Sequence, residues 1–151
     1  MVLEKIKQDN SKGGFTIVEL LVVIVVIAIL AAITIVSYTG VTNRAKTAKA
    51  LSNASSVQSY AEVYNADNGA YPVTLAAFGG TTSATLSSGV SVIGGNGTTP
   101  GITSNNGETT ISWCYYTSGV GGEIRYYKFD GTAGVQTITV GNVSGNCTAA
   151  S

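Results

Sequence analysis

From Phe15 to Val36 the chain reads FTIVELLVVIVVIAILAAITIV, an apolar run broken by a single charge, Glu19. At ~1.5 Å per residue a helix of that length spans ~33 Å, enough for a hydrocarbon layer of about 30 Å. Its richness in Val and Ile would suit a buried strand, but such strands run about 4 to 8 residues, so length decides for helix. From Ser37 to Ala66 the chain turns polar and keeps good helix formers. Small or apolar residues at Val41, Ala45, Ala48, Leu51, Ala54, Val57, Ala61 and Tyr64 recur at steps of three or four, which provides a face that can pack. Gly40 costs a helix interior about 1 kcal/mol and does not forbid it. The pattern predicts one long helix, apolar over 15–36 and amphipathic over 37–66. Asp67-Asn68-Gly69 stops it, with Pro72 just beyond.

The remainder has a different grammar. Gly79 to Gly107 is Ser/Thr/Gly/Asn-rich and reads as loop or short surface strands, within a connecting region 67–108. No Gly-Lys-Ser/Thr closes this run, so a phosphate loop is not indicated. Over 109–151, the β-branched and aromatic runs Thr109–Thr117, Glu123–Asp130 and Val135–Val140 are separated by glycine-rich turns and predict a three-stranded antiparallel meander. Its aromatic residues are expected to cover the amphipathic face of the helix. The fold class is therefore α+β, a long N-terminal helix packed on a small C-terminal antiparallel sheet.

Composition narrows the chemistry. The 151 residues carry 8 basic and 8 acidic side chains and no histidine, which removes His-dependent triads and His metal ligands. A zero balance argues against a chain-wide nucleic-acid footprint, though a local basic patch would not show in the total. Glu19, Glu62, Asp67, Glu108, Glu123 and Asp130 are the acids beyond residue 14, and no two form a recognisable catalytic motif. The expectation is a protein that is not an enzyme, with no catalytic residues, no cofactor and no metal site; Glu123 and Asp130 alone do not make a calcium cage.

Residues 1–14 are polar, with Lys5, Lys7 and Lys12 against Glu4 and Asp9. The apolar run is too long for a secretory signal, and the small-residue pair Gly13-Gly14 precedes it, so cleavage there would retain the helix. Glu19 costs roughly 2.5–3.5 kcal/mol at a bilayer centre, which makes it either a solvated interfacial residue without a role or a functional one. A cut after Gly14 would leave an ammonium on Phe15 one helical turn from Glu19. Opposite charges at that spacing can pair within a chain or between chains.

Gly14 followed by Phe15-Thr16-Ile17-Val18-Glu19-Leu20-Leu21 and a long apolar run resembles the N-terminus of type IV pilins and pseudopilins over residues 1–40, and Tyr64–Pro72 resembles the segment where their helix ends. The resemblance implies that 1–14 is a leader, cut between Gly14 and Phe15 by prepilin peptidase, and that the Phe15 amine is N-methylated. It implies that Glu19 meets the Phe15 amine of a neighbouring subunit. The implied partners are further copies in a helical homopolymer, the membrane before assembly, an assembly platform and motor ATPases, with DNA or surfaces as further contacts. Many relatives carry a glycine and a proline where this chain has Ala28 and Val36, and a more continuous helix in the filament is expected here.

Cys114 and Cys147 bridge if exported and remain free thiols if not; the loop resembles the disulfide-bounded C-terminal region of many type IV pilins. Charge does not settle orientation, because Arg44, Lys46 and Lys49 after the span balance the leader lysines. The cysteines and the resemblance place the leader inside and the sheet outside. Arg44, Lys46 and Lys49 then form a solvated or subunit-contacting cluster that could meet anionic surfaces. Tyr115, Tyr116, Tyr126 and Tyr127 are expected mainly in cross-strand packing. Asn53-Ala-Ser55, Asn96-Gly-Thr98, Asn142-Val-Ser144 and Asn146-Cys-Thr148 fit a glycosylation pattern of little weight. The expected function is a pilus subunit for twitching, adhesion or DNA uptake; a pseudopilin of a secretion or competence machine is the alternative, and a membrane-tethered binding module the third reading.

Overall fold

A computed structural model describes residues 13–79, 86–95, 101–116, 120–132 and 134–150, without the side chain of Val36. The segment up to Lys12, including Lys5, Lys7 and Lys12, lies outside the described residues, as do Asn96 and Thr117. The chain divides into two compact units, one ending at Tyr38 and the other running from Thr39. Helix α1 (Ile17–Asn68) contributes to each.

In the first unit α1 is long and apolar enough to cross a membrane. Every large apolar side chain described from Phe15 to Ile35 is exposed, Val25 least at 47%. Nothing within the unit covers them. The helix runs unbroken through Ala28 and Gly40.

The second unit, the head, packs the later part of α1 on a five-stranded sheet. Its strands are β1 (Ser91–Gly94), β2 (Thr110–Tyr115), β3 (Gly121–Lys128), β4 (Gly134–Gly141) and β5 (Thr148–Ala149). The order is β1-β2-β3-β4, with β5 also on β2. The meander β2-β3-β4 is antiparallel, with Trp113 opposite Ile124 and Ile124 opposite Ile138. The expected antiparallel sheet is in fact mixed, because β1 pairs parallel to β2, Ser91 opposite Thr110. A parallel neighbour needs a crossover, and the turns over 101–109 supply it.

The core joins Ala54, Val57, Tyr60 and Ala61 of α1 to Tyr71, Phe78, Ile111, Trp113, Ile124 and Val140. Trp113 is fully buried, meets Phe78 edge-on at 5.4 Å and donates its indole N–H to the Pro72 carbonyl at 2.9 Å. The face of α1 differs from the expected one. Ala54, Val57 and Ala61 are buried, but Val41, Ala45, Ala48 and Leu51 are exposed. Repeated steps of three turn the azimuth back by about 60° each, so the earlier part of that series walks around the helix away from the core.

The C-terminal stop follows the sequence signal. Gly69 takes φ +75° and its N–H reaches the Asn65 carbonyl at 2.8 Å, the αL termination that glycine permits at little cost. Asn53 is buried, with its Nδ2 donating to the Glu108 carbonyl at 2.7 Å, so its glycosylation pattern does not correspond to an accessible acceptor.

Candidate functional site

The first turn of α1 is organised by two side chains. Thr16 precedes the helix, and its Oγ1 accepts the Glu19 N–H at 3.2 Å. Glu19 returns the contact, its Oε2 accepting from the Thr16 N–H and from the Thr16 hydroxyl, both at 2.8 Å. This is a capping box, which satisfies helix N–H groups that have no intrahelical acceptor and places a carboxylate at the positive end of the helix dipole. Both bonds fall on Oε2; among the described residues Oε1 makes no hydrogen bond. Phe15 is 88% exposed, directly before Thr16. Thr16 was not among the candidate residues, although Thr-x-x-Glu before an apolar run is a legible capping signal.

Residues 9–35 match the family described as the prokaryotic N-terminal methylation motif. The matched segment contains Gly14, Phe15, Thr16 and Glu19 and most of the exposed apolar helix. The match supports the resemblance of this N-terminus to those of type IV pilins and pseudopilins. No curated protein and no solved structure matches the chain. The pilin-type motif marks a precursor of a structural subunit, and with the apolar helix it fits a membrane-anchored precursor processed by a prepilin peptidase.

The head holds a second constellation, on the sheet face opposite the core. Alternation along β2 sends Ile111 and Trp113 to the core and Ser112 and Cys114 to the other face; on β3, Glu123 and Arg125 join the latter. Cys114 and Cys147 form a disulfide with Cα atoms 5.5 Å apart. Arg125, 8% exposed, donates through Nε to Glu123 Oε2 at 3.0 Å and through a terminal nitrogen to Cys147 Sγ at 3.2 Å. The Tyr116 hydroxyl donates to Glu123 Oε1. That bond to the carboxylate, followed by burial, raises the Tyr116 pKa above its ordinary value.

Cys114, Glu123 and Cys147 present ligand-type atoms within 4.8 Å of one another. The sulfurs are bonded to each other and the carboxylate is taken by Arg125 and Tyr116, so the cluster is a buried ion pair beside a disulfide rather than a cation cage. Asp130, the other carboxylate considered for calcium, has different neighbours. Its Oδ1 accepts from the Thr47 hydroxyl at 2.7 Å, and the same hydroxyl oxygen accepts the Phe129 N–H at 2.9 Å. The Thr47 bond is the largest cause of a lowered Asp130 pKa.

The three cations do not share one face. Lys46 pairs with Glu108 at 2.8 Å and lies over the Phe129 ring at 5.5 Å, whereas Arg44 and Lys49 are exposed at other azimuths of α1. Tyr116 is buried, and Tyr115 and Tyr126 are packed against the core, while Tyr127 meets Phe129 edge-on at 4.9 Å.

Proposed function

We propose that the chain is cut between Gly14 and Phe15, N-methylated on Phe15, and polymerised through α1 into an extracellular type IV pilus that serves twitching, adhesion or DNA uptake. The observation that carries this reading is the capped carboxylate at the start of a helix whose apolar surface is exposed on every side. A simple anchor needs only the apolar length; the carboxylate caps its first turn but costs roughly 2.5–3.5 kcal/mol wherever the helix end is drawn to the bilayer centre. A subunit that passes from lipid into a polymer exchanges lipid contacts for helix contacts and needs a polar group to fix register.

Glu19 can serve its own helix through Oε2 while Oε1 receives the Phe15 ammonium of a neighbour. The leader stays inside and the head outside, where an oxidising milieu suits the Cys114–Cys147 bridge. The assembly platform and motor ATPases act on the membrane-held subunit. A pseudopilin uses the same N-terminal chemistry; a short filament confined to the envelope would identify one.

The test is intact mass and N-terminal sequencing of material sheared from cells, beside the Glu19→Ala variant. The wild-type chain should begin at Phe15, one methyl group heavier and, with the bridge, two hydrogens lighter than the reduced chain. Glu19→Ala should be cut normally and yield no polymer. A wild-type chain found only in membranes and beginning at Met1 would overturn the reading in favour of a tethered module, and a Glu19→Ala chain that polymerises normally would overturn the assembly role of Glu19.

A further inference from the structure

Strand β4 forms one edge of the sheet, with β3 on one side and no strand among the described residues on the other. The ladder shows which of its groups face outward. The Asn142 N–H reaches the Val120 carbonyl at 2.9 Å, and alternation from that pair assigns the bonds toward β3 to Gly134, Gln136, Ile138 and Val140. The N–H and C=O groups of Val135, Thr137 and Thr139 therefore point away from the sheet. The Val135 carbonyl accepts the Gln136 side-chain amide at 3.2 Å, and among the described residues no other hydrogen bond reaches these groups.

An open ladder is a template for another chain, and native edges are blunted by charge, by proline or by a bulge. β4 carries none of these. Its register with β3 is continuous from Gly134 to Gly141, and Val135, Thr137, Ile138, Thr139 and Val140 are β-branched. No charged side chain occurs from Gly131 to Ser151, so nothing on this edge selects a charged partner or repels a copy of itself. The open stretch also has a definite length. Gly141 takes φ +66° and leaves the extended region, which ends the template just after Val140.

We propose that β4 pairs antiparallel with β4 of a second copy about a two-fold axis at Thr137, joining two sheets into one. Val135 then stands opposite the partner's Thr139, and Thr137 opposite its own copy. Every open N–H meets an open carbonyl, three bonds donated by each chain, with the Gln136 amide displaced from Val135. An axis at Ile138 would set Val135 against the non-extended Gly141 and lose that pair at each end. A slip of one residue would oppose open groups to bonded ones and send the side chains to the wrong faces. Under the Thr137 axis the β-branched side chains meet one another, which sheets favour. Arg125, in register with Thr137 on β3, is already held by Glu123, so no unpaired charge is brought up to the joint. Such a contact is weak singly and is strengthened where copies are held close together. It is isologous and closes, so it joins heads in pairs and does not propagate a polymer.

The test is mild oxidation of whole cultures making the full-length chain, with dimers read on non-reducing gels. Thr137→Cys places two sulfurs opposite one another at Cα atoms ~5.5 Å apart and gives about tenfold more covalent dimer than Thr132→Cys, an exposed position in the preceding turn. Val135→Cys and Thr139→Cys give none singly and give dimers when both chains are made together. Adding Thr137→Pro to those two chains abolishes their crosslink. Proline there removes an outward N–H and leaves the bonds to β3 in place, and an intact Cys114–Cys147 bridge, read by mass, shows that the head still folds. Dimer from Thr137→Cys no greater than from Thr132→Cys, crosslinks between Thr137→Cys and Thr139→Cys chains in preference to the Val135 and Thr139 pair, or a crosslink that survives Thr137→Pro in a folded head would each overturn the contact. None of these outcomes alters cleavage or the yield of sheared filament, which test the polymer reading.

Discussion

The two units of this chain use one helix in opposite ways. In the first, the apolar side chains from Phe15 to Ile35 have no internal partner, and backbone hydrogen bonds with the Thr16–Glu19 cap hold the segment. In the head, Ala54, Val57, Tyr60 and Ala61 of the same helix are buried against a sheet with Trp113 at its centre. The first unit is stable because a helix satisfies its own backbone in an apolar medium. The head is stable because it removes apolar surface from water. Damage to one should therefore leave the other largely untouched.

The strongest way to break that comparison is Trp113→Ala. The ring is fully buried and its N–H satisfies the Pro72 carbonyl, so truncation leaves a cavity and an orphaned acceptor. About 3–5 kcal/mol of head stability should be lost. For the full chain in detergent, the cooperative denaturant transition followed by circular dichroism should move or vanish while the helical signal of the apolar half persists. Loss of both signals together would show that the units are not energetically separate. Cys114→Ser/Cys147→Ser should act next most strongly, by about 3–4 kcal/mol in the loop-entropy model for a bridge spanning 33 residues. It also removes the sulfur that receives Arg125. An unchanged unfolding midpoint would mean that the pairing of β5 with β2 already constrains the C-terminus.

What could be read from the sequence follows the range of the interaction involved. The helix, its stop at Gly69 and the β2-β3-β4 meander rest on periodicity and turn residues within a few positions, and all three are present. The cap at Thr16 was equally local, visible as Thr-x-x-Glu. The parallel partner β1 was not legible, because Ser91–Gly94 is a four-residue run whose pairing is decided by residues far along the chain. Arg125 and Tyr116 around Glu123 were hidden for the same reason, since only strand register brings them to the disulfide. On α1, steps of three and four identified a packing surface but mixed two faces, one covered by the sheet and one bare. Separating them required the sheet.

The smallest expected effect sharpens the comparison through pH. Between Phe15 and Ser37 the only ionisable side chain is Glu19, so apart from the Phe15 amine that cleavage exposes nothing in the apolar segment titrates in alkali. In the head, Tyr71 is buried, donates to Glu62 and has its pKa pushed up to about 12, by desolvation first, then by the bond to Glu62 and that group's charge. A tyrosine whose folded pKa lies above the unfolded value of about 10 binds its proton more tightly when folded. Its contribution is complete below about pH 10 and is lost as pH rises toward about 12. Head stability should thus fall across that window, and Tyr71→Phe should fall less steeply than wild type, measured as the difference between their unfolding midpoints at each pH. The remaining slope includes Tyr116, whose bond to Glu123 also raises its pKa. Identical slopes for the two proteins would mean that the Tyr71–Glu62 bond contributes nothing to holding the end of α1 on the head, leaving apolar burial to do so alone.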